Sequence, residues 1–153
     1  MDDPITVTKF KDPTSRAVMQ KTQLPSLNRG LTCYTVTPAI GEIVVLTGGL
    51  NMRPSPWEWS AECHAQDANT GIWQQLPSLN VARSGHASSA LGTSIYVVAG
   101  WNGKNYMETI EFLDMAESEL DWKIFMVTAL SPRQLPSFSP ISDTQLLIMG
   151  GDY

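Results

Sequence analysis

Short apolar runs that stop at glycine punctuate the chain: Ile43–Gly49 (IVVLTGG), Tyr96–Gly100 (YVVAG) and Leu146–Gly151 (LLIMGG). Each is apolar almost throughout, the pattern of a strand buried on both faces. Around the middle run the chain divides into four segments. Small residues at His86–Leu91 come first, and Ser94–Ala99 follows a turn at Gly92. A polar loop then leads to Met107–Leu113, and an acidic turn from Asp114 to Asp121 leads to Trp122–Val127. This pattern predicts four antiparallel strands, a to d. The preceding unit reads the same way, with a at Cys33–Val36, b at Glu42–Leu46, c at Glu58–Gln66, a turn from Asp67 to Gly71, and d carrying Trp73. The chain opens on c (Ile5–Phe10) and d (Ala17–Gln20) and closes on a (Phe138–Ile141) and b (Gln145–Met149).

The units repeat at a measurable period. The last glycines of the three runs, Gly49, Gly100 and Gly151, are 51 residues apart. LPSLN stands at Leu24–Asn28 and again at Leu76–Asn80, a step of 52, with LPSF at Leu135 as a degraded copy. Asp12, Asp67 and Asp114 follow strand-like runs at steps of 55 and 47, and Trp73 and Trp122 are 49 apart. Self-similarity at a fixed period near 50 marks a solenoid, propeller or array. The expected units are a half at 1–23, whole copies at 24–75 and 76–129, and a half at 130–153, all in one domain. The halves bring the total to three.

Composition narrows the function classes. Charged residues make up 16 % of the chain, below the roughly 25 % of ordinary soluble domains. Ten prolines and eleven glycines separate the apolar runs, as in strand-and-turn proteins. A net charge of −5 argues against a nucleic-acid partner, which needs a basic stripe. The start, MDDPITVTKFKDPTSR, is acidic and lacks the apolar core of a signal peptide. No apolar run approaches the roughly twenty residues that cross a bilayer. A cytoplasmic protein is expected, with Cys33 and Cys63 as free, buried thiols.

The chemistry-bearing residues point away from catalysis. Cys63 and His64 are adjacent on a strand, so they face opposite sides and cannot share a metal. His86 starts a strand and is expected to make a structural hydrogen bond. Glu108, Glu111, Asp114, Glu117, Glu119 and Asp121 are expected to form a solvated rim. No nucleophile elbow, phosphate loop, HExxH or dinucleotide fingerprint is present. Neither a cofactor nor a metal is expected.

At this point the chain resembles the kelch repeats. The likeness rests on the glycine pairs Gly48-Gly49 and Gly150-Gly151, with Ala99-Gly100 in the middle copy. It rests also on the turns Phe10-Lys11-Asp12 and Phe112-Leu113-Asp114, on Trp73 and Trp122, and on the Arg83…His86 start. The first whole copy departs from it, having no aromatic residue before Asp67. The resemblance implies an all-β fold of four-stranded propeller blades, with the glycines and tryptophans packing blade on blade. Propellers have about four to eight blades, so three blades here would be half of a six-bladed ring. Two chains would complete it, c-d of one pairing with a-b of the other, or further repeats or a hetero-partner would.

By that strand order the d–a and b–c loops emerge on one end. Arg29, Arg53, Trp57, Arg83, Trp101, Asn102, Asn105, Tyr106 and Arg133 are expected to converge there. Arg and aromatic side chains are enriched at binding hot spots. The expected function is a non-enzymatic protein-interaction scaffold binding an acidic or mixed peptide segment. The alternative is a sugar-processing, mutarotase-like propeller working in the central channel.

Overall fold

The computed structural model describes residues 31–53, 55–126 and 130–152. The expected half-blade at 1–23, the first LPSLN, Asp12 and Arg29 lie outside them. The described residues hold eleven strands, one 3-10 turn at Ile40–Glu42 and no α-helix.

Three antiparallel sheets follow one another along the chain. In the first, β1 (Leu31–Thr32) and β2 (Thr35–Pro38) both pair with β3 (Ile43–Asn51), followed by β4 (Glu58–Asp67) and β5 (Trp73–Leu76). The second runs in order β6 (Ala87–Leu91), β7 (Ser94–Val98), β8 (Thr109–Asp114) and β9 (Lys123–Met126). The third is the pair β10 (Ser137–Ser142) and β11 (Gln145–Met149). The second and third are meanders, in which each strand pairs with its predecessor, and the first is one from β2 onward, with β1 added beside β3. The first a and b strands start later than expected. Cys33 and Glu42 have φ values of +53° and +65°, which no extended strand accommodates.

A backbone element that the apolar pattern does not reveal also repeats. Cys33, Gly85 and Leu135 share a left-handed conformation, with φ of 53°, 58° and 54°. The residue before each pairs with the chain leaving its own b strand, at Thr32–Leu50, Ser84–Trp101 and Gln134–Asp152. These turns stack. Gly85 N–H donates to Cys33 O at 3.0 Å and Leu135 N–H to Gly85 O at 2.6 Å. A second series runs beside it, with Gly49 N–H donating to Arg83 O and Gly100 N–H to Arg133 O, both at 2.8 Å.

That close approach explains the glycine ending each b strand. A Cβ at Gly49, Gly100 or Gly151 would lie 3.0, 2.9 or 2.6 Å from the carbonyl oxygen of Thr32, Ser84 or Gln134. All three also have φ near or above 90°, a conformation that side chains disfavour.

The core sits between sheets. Val45, Cys63, Ala65, Leu76 and Leu79 of the first unit pack with Ile95, Val97, Leu113 and Trp122 of the second. Trp122 is 2 % exposed and donates its indole N–H to Pro77 O at 2.9 Å. Between the second and third sheets, Ala87, Val98, Ala99 and Ile110 meet the half-buried Phe138 and Ile148. Burying each large side chain stabilises by about 1.5–3 kcal/mol.

Candidate partner-binding face

The loop between β7 and β8 is built around Trp101. Its backbone bridges Ser84 on one side and Tyr106 on the other, which closes the loop into a narrow hairpin. The rings of Trp101 and Tyr106 then meet at 4.8 Å between centroids, tilted by 59°. Asn102 Oδ1 accepts the backbone N–H of Lys104 at 2.9 Å and of Asn105 at 2.8 Å. Asn102 therefore holds the turn, while the Asn105 side chain stays exposed. The equivalent loop of the first sheet leans on this one. A Cβ at Gly103 would fall 2.8 Å from the Trp59 ring, so glycine lets the indole lie flat beneath the loop.

Apolar side chains remain uncovered around this contact. Trp57 is 56 % exposed, Met52 41 % and Tyr106 37 %. Arg53 is exposed beside them, its backbone N–H held by Asn51 Oδ1. The structure thus brings Trp101, Asn102, Asn105 and Tyr106 into one loop, with the Arg53 and Trp57 loop carrying Trp59 against it.

Arg83 does not belong to this surface, contrary to the expectation from its loop position. It is fully buried. Its Nη1 donates to Ala99 O at 3.0 Å, and its Nη2 donates to Thr109 Oγ1 at 3.1 Å and Glu111 Oε1 at 2.6 Å. Burial pulls the Arg83 pKa down, and the charge of Glu111 opposes that shift. Glu111 is likewise no part of a solvated rim. It too is fully buried, and its carboxylate also accepts Asn80 N–H at 2.7 Å and Val81 N–H at 3.2 Å. The pair fastens the entry of the second sheet to its own third strand.

Arg133 repeats part of this arrangement. Its Nε donates to Ser131 O at 3.0 Å and its Nη1 to Gly150 O at 2.7 Å, as Arg83 does to Val81 O and Ala99 O. Arg133 is half-buried.

The remaining polar residues have local tasks. His86 is buried between the first two sheets, and its Nε2 lies 2.9 Å from Thr35 Oγ1 and 3.0 Å from Thr47 Oγ1. Burial, reinforced by the charge of Arg83, pushes its pKa down to about 3, so the ring is neutral. A Cβ at Gly48 would sit 2.7 Å from His86 Cε1, which gives that glycine its role. Asp67 Oδ1 accepts Asn69 and Thr70 N–H, and Asp114 Oδ1 accepts Ala116 N–H, each closing the turn after its strand. Hydrogen bonds from Thr93 and from the Ala116 backbone hold the Asp114 carboxyl below its ordinary range. Trp73 is half-buried at the start of β5.

Cys63 is buried, whereas Cys33 is exposed, carried outward by its left-handed turn. Cys63 and His64 are both buried because β4 is covered on both faces there. Among the described residues no group of three or more His, Cys, Asp or Glu could hold a metal ion. Among them, too, no helix is long and apolar enough to cross a membrane.

The kelch motif model matches residues 82–119, the span from the Arg83 turn through β8. A putative F-box/kelch-repeat protein of Arabidopsis thaliana is 35 % identical over 86 residues, covering 56 % of this chain and 19 % of that protein. Human kelch-like protein 24 is 27 % identical over 107 residues, 70 % of this chain and 16 % of that protein. The chain therefore spans less than a fifth of these relatives' length. The solved structure of YjhT matches 97 % of this chain and 50 % of its own, with a TM-score of 0.75 at 15 % identity. With sheets recurring at this period, a kelch motif in its middle unit and this likeness of fold, the chain is similar to kelch-repeat proteins and has the fold of β-propeller blades.

Proposed function

We propose that this chain is the three-blade half of a propeller that binds a protein partner through its b–c loops and performs no catalysis. The observation that carries this reading is the aromatic face made by two adjacent loops. There Trp101 packs tilted against Tyr106, Trp57 is 56 % exposed and Trp59 supports Gly103. Rigid aromatic rings offer a partner large contact area at low entropic cost. Arg53 and Lys104 border the patch and suit a peptide with some acidic residues.

The channel reading has less behind it. A groove of about 340 Å³ does run along the inner strands, lined by Thr37, Ser88, Ser89, Ala90, Phe138 and Pro140 among others. Its polar groups are hydroxyls. Sugar chemistry at an anomeric centre calls for carboxylates or other titratable groups facing the substrate, and the groove's lining includes none. The compartment that suits the chain is the cytoplasm, where the free thiols of Cys33 and Cys63 stay reduced.

Peptides selected from a displayed random library against the purified chain test the interaction. Trp101→Ala and Trp57→Ala should each weaken the selected peptides by about tenfold or more, with melting temperatures close to the parent. Failure to enrich any peptide, or binding indifferent to both substitutions, would overturn the loop-face reading.

A further inference from the structure

The turn that closes the β7–β8 loop carries the only Asn-Gly pair of the sequence, Asn102-Gly103. In such a pair the backbone nitrogen of glycine can attack the preceding side-chain amide, with no Cβ to block its approach. Three features of this turn favour that reaction. First, Gly103 is exposed, and among the described residues nothing accepts its backbone N–H. The attacking nitrogen is therefore not tied into the hairpin. Second, Asn102 Oδ1 accepts the backbone N–H of Lys104 at 2.9 Å and of Asn105 at 2.8 Å. Two donors on one amide oxygen draw charge from Cγ and stand where negative charge develops as a nucleophile adds. Third, the fold demands glycine here, because a Cβ at Gly103 would fall 2.8 Å from the Trp59 ring.

We propose that Asn102 is a self-modifying site, at which the chain deamidates and so alters its own binding face with age. The consequence for binding rests on the loop-face reading, whereas the chemistry does not. Gly103 N bonds to Asn102 Cγ, its proton passes to water, and the side-chain nitrogen leaves as ammonia, which closes a succinimide ring. Water then adds to one of the two ring carbonyls. Breaking the bond from nitrogen to Cγ restores the ordinary backbone with an aspartate at this position. Breaking the bond from nitrogen to the main-chain carbonyl leaves an isoaspartate. The sum is amide plus water giving carboxylate plus ammonia, with nothing oxidised or reduced.

The two products act on the turn differently. Asp67 already shows that an aspartate fits such a turn, since its Oδ1 accepts Asn69 N–H at 2.7 Å and Thr70 N–H at 3.2 Å, the same two positions further along. An aspartate in place of Asn102 thus keeps the hairpin and adds a negative charge beside Lys104, which opposes an acidic peptide. Isoaspartate routes the main chain through Cβ and Cγ and lengthens the turn by one atom. The bridge between Trp101 and Tyr106 spans that turn, and their rings meet at 4.8 Å. The longer turn shifts one ring against the other, so one product weakens the face by charge and the other by shape.

Warming the purified full chain at mildly alkaline pH, with samples taken over time, tests the proposal. Tandem mass spectrometry should find Asn102 converted before any other asparagine, and an isoaspartate methyltransferase should label part of the product. Near-ultraviolet circular dichroism should change as that labelled fraction grows, and the affinity of the converted chain for the selected peptides should fall about tenfold. Asn102→Asp should keep the parent's melting temperature and near-ultraviolet spectrum while binding acidic peptides severalfold more weakly. Asn102→Ser has no amide to lose and should show no drift from its own starting values. An Asn102 still intact in the folded chain when the urea-denatured chain has lost its amide would overturn the proposal. So would a converted chain whose spectrum and peptide affinity are both unchanged. If Asn102 converts and the spectrum changes but no peptide is ever selected, the loop-face reading alone falls. A chain that binds peptides and never converts at Asn102 removes this inference alone.

Discussion

Acidification should unfold this protein through a single buried imidazole. His86 lies between the first two blades with Nε2 shared between the hydroxyls of Thr35 and Thr47, and the charge it faces is that of Arg83. Burial first, then Arg83, push its pKa from 6.5 down to about 3. The sign follows from proton binding. Above about 6.5 the ring is neutral in both folded and unfolded chains, so it adds no pH dependence. Below that value the unfolded chain takes up a proton that the folded chain refuses, and stability falls until the pH nears 3. Each pH unit inside this window costs about 1.4 kcal/mol, so going from pH 7 to pH 5 should cost roughly 2 kcal/mol. Urea denaturation at pH 7, 6 and 5 measures the slope. His86→Gln keeps a polar group between the threonines and removes the titration. It should start less stable at pH 7 yet lose less than about a third as much on reaching pH 5. Equal slopes in the two proteins would refute the assignment.

Two further predictions concern other buried groups. Glu111→Gln strips Arg83 of its countercharge inside the sheet and should cost about 3–5 kcal/mol, read by urea denaturation. Pairing it with Arg83→Met should recover much of that loss, and a Glu111→Gln protein as stable as the parent would show the pair to be dispensable. In the folded protein iodoacetamide should alkylate Cys33 alone. Cys63 is covered and its thiol is pushed up to about 12 by burial, so it should react only in denaturant; comparable rates by intact mass would contradict this.

The sequence carried the fold well because the apolar runs answer to one demand. Strand b is enclosed on both faces in the first two blades, where Val44–Leu46 and Ile95–Val98 are apolar, Leu146–Ile148 repeats the pattern in the more exposed third sheet, and the glycine after each must admit a neighbouring carbonyl. Both constraints act through residue type and survive in the pattern. The Arg83–Glu111 pair was less legible because its members are 28 residues apart. One signal did exist. Glu111 lies between Ile110 and Phe112 in an apolar strand, where a charge needs a buried partner. The left-handed turn at Cys33, Gly85 and Leu135 left no such trace, since only one of the three is a residue that favours positive φ. Likewise Trp59 gives no local sign that Gly103 rests on it, a contact made only when the start of β4 and a loop 44 residues further on converge.

Equivalent positions show what the repeat keeps and what it spends on difference. The backbone is kept: the left-handed turn, the bridge before it and the glycine at the end of b recur in all three blades. The side chains that fasten that backbone change. Two residues before the turn stand Leu31, Arg83 and Arg133, and one residue after it stand Tyr34, His86 and Pro136. Opposite Leu46 and its counterpart Val97, strand c offers His64 in one blade and Glu111 in the next. A buried ion pair therefore locks the second blade, Leu31 and the buried His64 stand at the same places in the first, and Arg133 donates to the carbonyls of Ser131 and Gly150. The members of each set lie in one blade, Arg83 with Glu111 and Leu31 with His64, so joining the first strands of one blade to the last strands of another would pair Arg with His64 or strand Glu111 against Leu31. Such mismatches keep the strands of each blade together, because a buried charge without its partner costs more than any single apolar contact returns.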